Sequence, residues 1–208
     1  MIYLLGGPPR VGKSKISDEI RRKHAISVVS TDTLGALLEE RLNPEAEPDL
    51  FLFEMFNEMP ETDRVKFLLE DPIKLISYVR KESRVVWQAA QAFIGRENDE
   101  GRDALIEGVA VLPEWVRRLE NTPHRAVFIG NQGKSHKENI RKSGEENEKD
   151  WMRHASDRYI DAFALFVNRM SLYIEQEANR YGFEYIEMDK VPFENASTMV
   201  MTSLDMGA

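Results

Sequence analysis

Three features of the chain predict an α/β fold built on a five-stranded parallel sheet. Five short apolar runs alternate with helix-compatible segments, the pattern of a parallel sheet covered by helices on both faces. The first run passes directly into a glycine-rich turn and then a helical stretch. Between Asp32 and Gly95 no strand-like run occurs, so this region reads as a helical cap inserted over the sheet rather than a second core.

The elements follow in order. Ile2 to Leu5 is the first strand-like run, and residues 6 to 14 then read Gly-Gly-Pro-Pro-Arg-Val-Gly-Lys-Ser. From Gly7 this fits Gly-x4-Gly-Lys-Ser, the loop that wraps nucleotide phosphates. Gly7 and Gly12 permit backbone angles that side chains forbid, so N–H groups converge on one anion at the positive end of the following helix. The expected cradle comprises Gly7, Pro8, Pro9, Arg10, Val11, Gly12, Lys13, Ser14 and Lys15. The prolines donate nothing, but N–H groups from Val11 to Lys15 remain. Lys13 is expected at the β- and γ-phosphates and Ser14 on Mg²⁺.

Helix one is expected to end near Lys23 and His24, before a second run from Ile26 to Ser30. The cap spans about residues 43–95 and is broken around Asn43-Pro44, Met59-Pro60 and Asp71-Pro72. Ile76, Val79, Val86, Ala90 and Phe93 follow helical spacing, with Ser83 filling the stripe. The third and fourth runs are Ala104 to Ile106 and Ala126 to Ile129. Residues 131–150 are nearly free of apolar side chains and contain Gly133 and Gly144, the composition of a mobile loop. Trp151, Ala155, Tyr159, Ala162, Phe166, Met170 and Tyr173 then mark one long helix with a core-facing stripe, stopped at Gly182. Phe183 to Met188 is the fifth run.

Composition narrows the function classes. The chain has 208 residues, suited to one domain with a cap and lid, and a net charge of −8, which disfavours binding nucleic acid through a basic surface. The absence of cysteine excludes disulfides and thiol nucleophiles. No apolar run is long enough to cross a membrane and no export signal is evident, so a cytoplasmic protein with a small-molecule partner is expected. Oligomeric state is left open.

Several side chains are chemical candidates. Asp32 closes the second run in Ser30-Thr31-Asp32-Thr33, at the strand edge where ligands gather. It could accept or orient the proton of a substrate hydroxyl; alternatively it, Ser30 or Thr31 caps the next helix. Glu107 ends the third run, where it could hold Mg²⁺ or position the acceptor, or be a buried carboxylate tied to a neighbouring loop. Asp103 belongs to the opposite edge. The basic segment with Lys134, His136, Lys137, Arg141 and Lys142 could fold over a triphosphate, with Arg141 the foremost candidate and Arg153 and Arg158 behind it. In the cap, carboxylates between Glu39 and Asp63 could favour a cationic acceptor, whereas Arg80 and Arg84 on one helix face could grip an anionic one.

Gly7 to Ser14, Ser30-Thr31-Asp32-Thr33 and Ile106-Glu107-Gly108-Val109 with Leu112-Pro113 together resemble the P-loop small-molecule kinases of the adenylate-kinase-like group. Within it the chain is most similar to 2-phosphoglycerate kinase-like and zeta-toxin-like kinases. The resemblance covers the sheet and its loops, and not the cap. It implies a three-layer P-loop NTPase sandwich with sheet order 2-3-1-4-5, ATP with Mg²⁺, Asp32 as acceptor base or orienter, an arginine-bearing lid over residues 131–150, and adenine near Lys190 to Phe193. The activity it implies is γ-phosphate transfer from ATP to a hydroxyl of a small metabolite. A nucleotide-dependent switch acting through a partner is the competing reading. Against it, Asn131-Gln132-Gly133-Lys134 does not match the Asn-Lys-x-Asp base reader of a GTPase.

Overall fold

Each of the five apolar runs forms a strand, and every pairing is parallel. The structure, a computed structural model, describes residues 1–146 and 148–207. The strands are β1 (Ile2–Gly6), β2 (Ser27–Ser30), β3 (Ala104–Gly108), β4 (His124–Gly130) and β5 (Glu184–Glu187), in the order β2-β3-β1-β4-β5. Leu4 and Leu5, adjacent on β1 and so on opposite faces, are both fully buried, as are Leu105 with Ile106 and Val127 with Phe128. The sheet is therefore covered on both sides.

The helices are α1 (Lys13–His24), α2 (Thr31–Glu39), α3 (Leu52–Glu58), α4 (Glu61–Glu70), α5 (Pro72–Asp99), α6 (Pro113–Val116), α7 (His136–Glu146), α8 (Asp157–Tyr181) and α9 (Phe193–Ser203). The neighbouring helices α1 and α9 cover one layer, α1 against β1, β2 and β3 and α9 against β4 and β5. Helix α8 covers β4 and β5 and packs on α5, which reaches β1 and β3. A five-stranded parallel sheet in this order, with a phosphate loop joining β1 to α1, is the P-loop NTPase sandwich.

Local chemistry sets the helix ends. The Ser30 hydroxyl accepts from the Asp32 N–H at 3.2 Å, Asp71 from the Lys74 N–H at 3.0 Å and Ser156 from the Tyr159 N–H at 3.2 Å, each satisfying a first-turn donor. The expected breaks in the cap are all realised. Asn43 turns the chain by accepting from the Glu45 N–H at 2.8 Å, Met59 and Pro60 separate α3 from α4, and Asp71 caps α5. Helix α5 continues beyond Gly95 to Asp99, so the element that floors the cap also lies on the sheet. Of its expected stripe, Ile76, Val79, Ser83, Val86 and Ala90 are buried, while Phe93 is only partly buried.

Two expectations are corrected. Residues 131–150 do not form a continuous loop, because α7 occupies His136–Glu146. His136, Ile140 and Gly144 recur every four residues and form its one buried row, too narrow to register in an otherwise polar composition. A side chain at Gly144 would stand 3.3–3.4 Å from Met152, so glycine permits this close docking. Asn147, also within that segment, lies outside the described residues. The second correction concerns Trp151 and Ala155, which precede α8 in a turn instead of extending its stripe; Trp151 is half exposed, not core.

Candidate active site

The strand register collects the candidate residues at one edge of the sheet. Ser30, Glu107 and Leu5 occupy one row across β2, β3 and β1, with Gly6 and Gly108 in the next. The row therefore ends where the phosphate loop begins. Gly12 caps α1 with φ 100°, a left-handed conformation that favours glycine. A side chain there would meet the Phe193 ring at 2.9 Å, and one at Gly7 would strike the Ile129 carbonyl. The loop is thus a tightly walled concavity at a helix N-terminus, where the first-turn N–H groups of Lys13, Ser14 and Lys15 have no intrahelical partner. Pro8 and Pro9 leave these donors intact, and the Pro8 carbonyl accepts from Lys13 Nζ at 2.7 Å. Phe193 brings the segment after β5 against Gly12.

Ser14 Oγ lies 3.4 Å from Glu107 Oε1. Two hard oxygen donors from different elements at this separation suit a small divalent cation completed by water and phosphate oxygens. Glu107 is buried, and burial pushes its carboxyl above the usual range, with Asp32 adding to the shift while Lys13 and the Ser30 and Ser14 hydroxyls oppose it. Burial likewise pulls the Lys13 ammonium below its usual value, against the attraction of Glu107 and Asp32. Desolvation outweighs the attraction on both sides. The pair is therefore poised for additional charge: an anion beside Lys13 and a cation beside Glu107 would each favour the ionised form. Among the described residues no group of three or more His, Cys, Asp and Glu forms a separate metal cage.

Capping falls to Ser30, which leaves the Asp32 carboxylate exposed and facing a cavity of about 530 Å³. Pro9 and Trp151 border this cavity on the phosphate-loop side, Thr31, Gly35 and Glu39 on α2, and Val109 and Ala110 after β3. Its far side is the cap, with Phe53 and Asn57 from α3, Arg64 from α4, and Val79, Glu82 and Val86 from α5. Glu82 accepts from the Phe53 N–H at 3.1 Å, and burial pushes its carboxyl up to about 8, with Glu39 and Asp32 adding to the shift.

Not all expected residues converge. Arg141 pairs with Asp157, Lys137 with Asp161 at 3.2 Å and Lys142 with Glu146 at 4.0 Å, while Arg153 donates to the Glu145 carbonyl. The segment instead meets the phosphate loop through Arg10. This residue, at φ 67°, forms two hydrogen bonds to Asp150 at 2.5 and 2.7 Å and sits 5.1 Å from the Trp151 ring centroid. Arg80 pairs with Glu114 at 3.1 Å, and Arg84 with Glu47 and Asp49 at 3.4 and 3.1 Å, so neither arginine expected to grip the acceptor lines the cavity. Arg64, Glu82 and Asn57 line it instead. Nothing in their spacing marked them, since each comes from a different helix.

No family model matches the chain. Among curated proteins it is 27% identical over 198 residues to the 2-phosphoglycerate kinase of Methanothermobacter thermautotrophicus, covering 90% of this chain and 60% of that protein. It is 32% identical over 120 residues to the 2-phosphoglycerate kinase of Pyrococcus horikoshii, covering 56% and 38%. The similarity is to kinases. The chain thus spans about 60% of the length of the first of these relatives and 38% of the second. Among solved structures, shikimate kinase from Bacteroides thetaiotaomicron aligns over 99% of this chain and 98% of its own, with TM-score 0.48 at 10% identity.

Proposed function

We propose that the protein is an ATP-dependent kinase that transfers the γ-phosphate to a hydroxyl of a small metabolite. The observation that carries this reading is the convergence of the buried Lys13 and Glu107 with the exposed Ser14 hydroxyl, with Asp32 at the boundary between them and a ligand-sized cavity. A nucleotide switch has no need of that adjoining cavity. Sequence similarity to 2-phosphoglycerate kinases supports the same reaction class.

In this mechanism the N–H groups from Gly12 to Lys15 hold the phosphates, and Lys13 moves from the Pro8 carbonyl to the oxygens that gain charge in the transition state. Ser14 and Glu107 would hold Mg²⁺, Glu107 directly or through water. The ion when bound would neutralise charge on the phosphate oxygens. Asp32 orients the acceptor hydroxyl and takes its proton as the hydroxyl oxygen bonds to the γ-phosphorus and the bridging bond to the β-phosphate breaks, releasing ADP. Helix α7 and the following turn form a lid over the loop, and Trp151 shields the junction from water. The reaction would take place in the cytoplasm.

The test is ADP release from Mg-ATP with and without a panel of cationic, neutral and phosphorylated alcohols that includes 2-phosphoglycerate. Acceptor-dependent release is expected. Slow release that is equal with every compound would assign the protein to the switch class.

A further inference from the structure

The acceptor cavity carries its own statement about what enters it. Asp32, Glu39 and Glu82 stand together on one side, near enough that Glu39 and Asp32 both act on Glu82. Arg64 is the single basic residue of the lining. Its guanidinium lies 4.6 Å from the Tyr159 ring centroid and donates to the Tyr159 hydroxyl at 3.4 Å. Among the described residues it has no carboxylate within ion-pair distance, and its Nε is buried with no hydrogen-bond partner. An unpaired buried donor on a planar fork is suited to a carboxylate. The rest of the wall is mostly apolar, with Phe53, Val79, Val86, Val109 and Phe166 beside the polar Asn57 and Ser83.

Building on the kinase reading, we infer that the acceptor is a hydroxylated amino acid with an apolar side group, its carboxylate on Arg64, its ammonium among Glu39 and Glu82, and its hydroxyl at Asp32. The charge arrangement argues against a polyanion. 2-Phosphoglycerate brings a phosphate and a carboxylate to a cavity that offers one guanidinium and three carboxyl groups, so at least one anionic group would face like charge. An ammonium meets the opposite situation. Glu82 holds its proton because burial and two neighbouring carboxylates disfavour its charge, and a bound ammonium would replace that proton with an ion pair.

Four probes separate the contributions: β-phenylserine carries hydroxyl, ammonium and carboxylate, 3-hydroxy-3-phenylpropanoate lacks only the ammonium, 2-amino-1-phenylethanol lacks only the carboxylate, and 2-phosphoglycerate is the polyanion. Calorimetric titration of the whole chain with each, in the presence of a non-hydrolysable ATP analogue and Mg²⁺, reads recognition apart from transfer. β-Phenylserine is expected to bind at least roughly tenfold more tightly than either single-charge probe, the effect of losing one charge-assisted contact. Arg64→Gln should remove its advantage over 2-amino-1-phenylethanol, and Glu82→Gln its advantage over 3-hydroxy-3-phenylpropanoate, each leaving the other advantage in place. ADP release with ATP then tests the reaction separately. The expected binding order without phosphorylation of any probe would retire the kinase reading and keep the recognition. Equal or tighter binding of 2-phosphoglycerate or 3-hydroxy-3-phenylpropanoate, or no binding of any probe, overturns the inference, and phosphorylation of 2-phosphoglycerate in that case leaves the kinase reading standing.

Discussion

On the kinase reading, the nucleotide end of the site is built mostly from backbone groups of consecutive residues, Gly7 to Lys15, with Glu107 and Phe193 brought in from elsewhere. At the proposed acceptor end, the lining residues Asp32, Arg64, Glu82 and Trp151 come from α2, α4, α5 and the turn before α8, and would act through their side chains. The first end is fixed by local geometry, because a glycine turn at a helix start presents its donors whatever surrounds it. The second is fixed by packing. A phosphate site is consequently specified by spacing, whereas an acceptor site exists only once the cap has folded onto the sheet.

The sharpest way to break the comparison is to remove charge from the nucleotide end alone. Lys13→Ala should lower acceptor-dependent ADP release by about 10³-fold or more, in line with losing a preorganised donor at the transferring phosphoryl group. Calorimetry with β-phenylserine should meanwhile show acceptor recognition within about threefold of the parent, since Lys13 does not line the cavity. Asp32→Asn stands at the border and should cost roughly 10²- to 10⁴-fold in turnover, the range for a positioned general base. Its affinity for Mg-ATP should remain close to that of the parent protein. Undiminished turnover would detach Asp32 from the chemistry and leave it an exposed carboxylate beside the Ser30 cap.

The same difference explains how much could be read from the chain. All five strands, the phosphate-loop motif, the breaks around Pro60 and Asp71 and the edge positions of Asp32 and Glu107 follow from short-range signals, namely apolar runs, glycine and proline placement and a fixed motif, whereas the strand order came only from the family resemblance. Helix α7 escaped because its buried row contains only His136, Ile140 and Gly144, which carry little hydrophobic contrast. Arg80 and Arg84 looked like a clamp by spacing, but spacing shows only that they share a face. Partners distant in sequence, Glu114 for one and Glu47 with Asp49 for the other, claim them in the fold. Arg64 could be recognised only by its lack of such a partner.

Acceptor-end electrostatics can be probed without any substrate. The folded Glu82 carboxyl keeps its proton up to about 8, whereas in the unfolded chain it ionises near its ordinary value of 4.5. With the folded value raised, the linked stability is complete below about 4.5 and declines as pH climbs through about 8. Glu82→Gln keeps an acceptor for the Phe53 N–H but cannot ionise. The variant's melting temperature relative to the parent should therefore rise between pH 5 and pH 8, by an amount corresponding to on the order of a few kcal/mol. A constant difference across this range would mean that water or relaxation of the cap solvates the carboxylate.

The smallest expected effect lies where the two ends meet. Arg10 of the phosphate loop and Asp150 are both largely buried, at 14% and 10% side-chain exposure, and the hydrogen bonds from Arg10 hold the Asp150 carboxyl below its usual range. That stabilisation is present above the ordinary carboxyl value of 3.8 and is lost as pH falls through the lower folded value. Asp150→Asn keeps the shape and removes the charge, at a cost of about 1–3 kcal/mol in docking the segment against the loop. Protease cleavage between Lys134 and Lys149 should accelerate accordingly, and Mg-ATP should reduce it in both proteins if this segment closes over the phosphates. Equal cleavage rates for variant and parent would transfer the holding of α7 to Ile140 and to the contact of Gly144 with Met152, making the segment a fixed wall of the site instead of a lid.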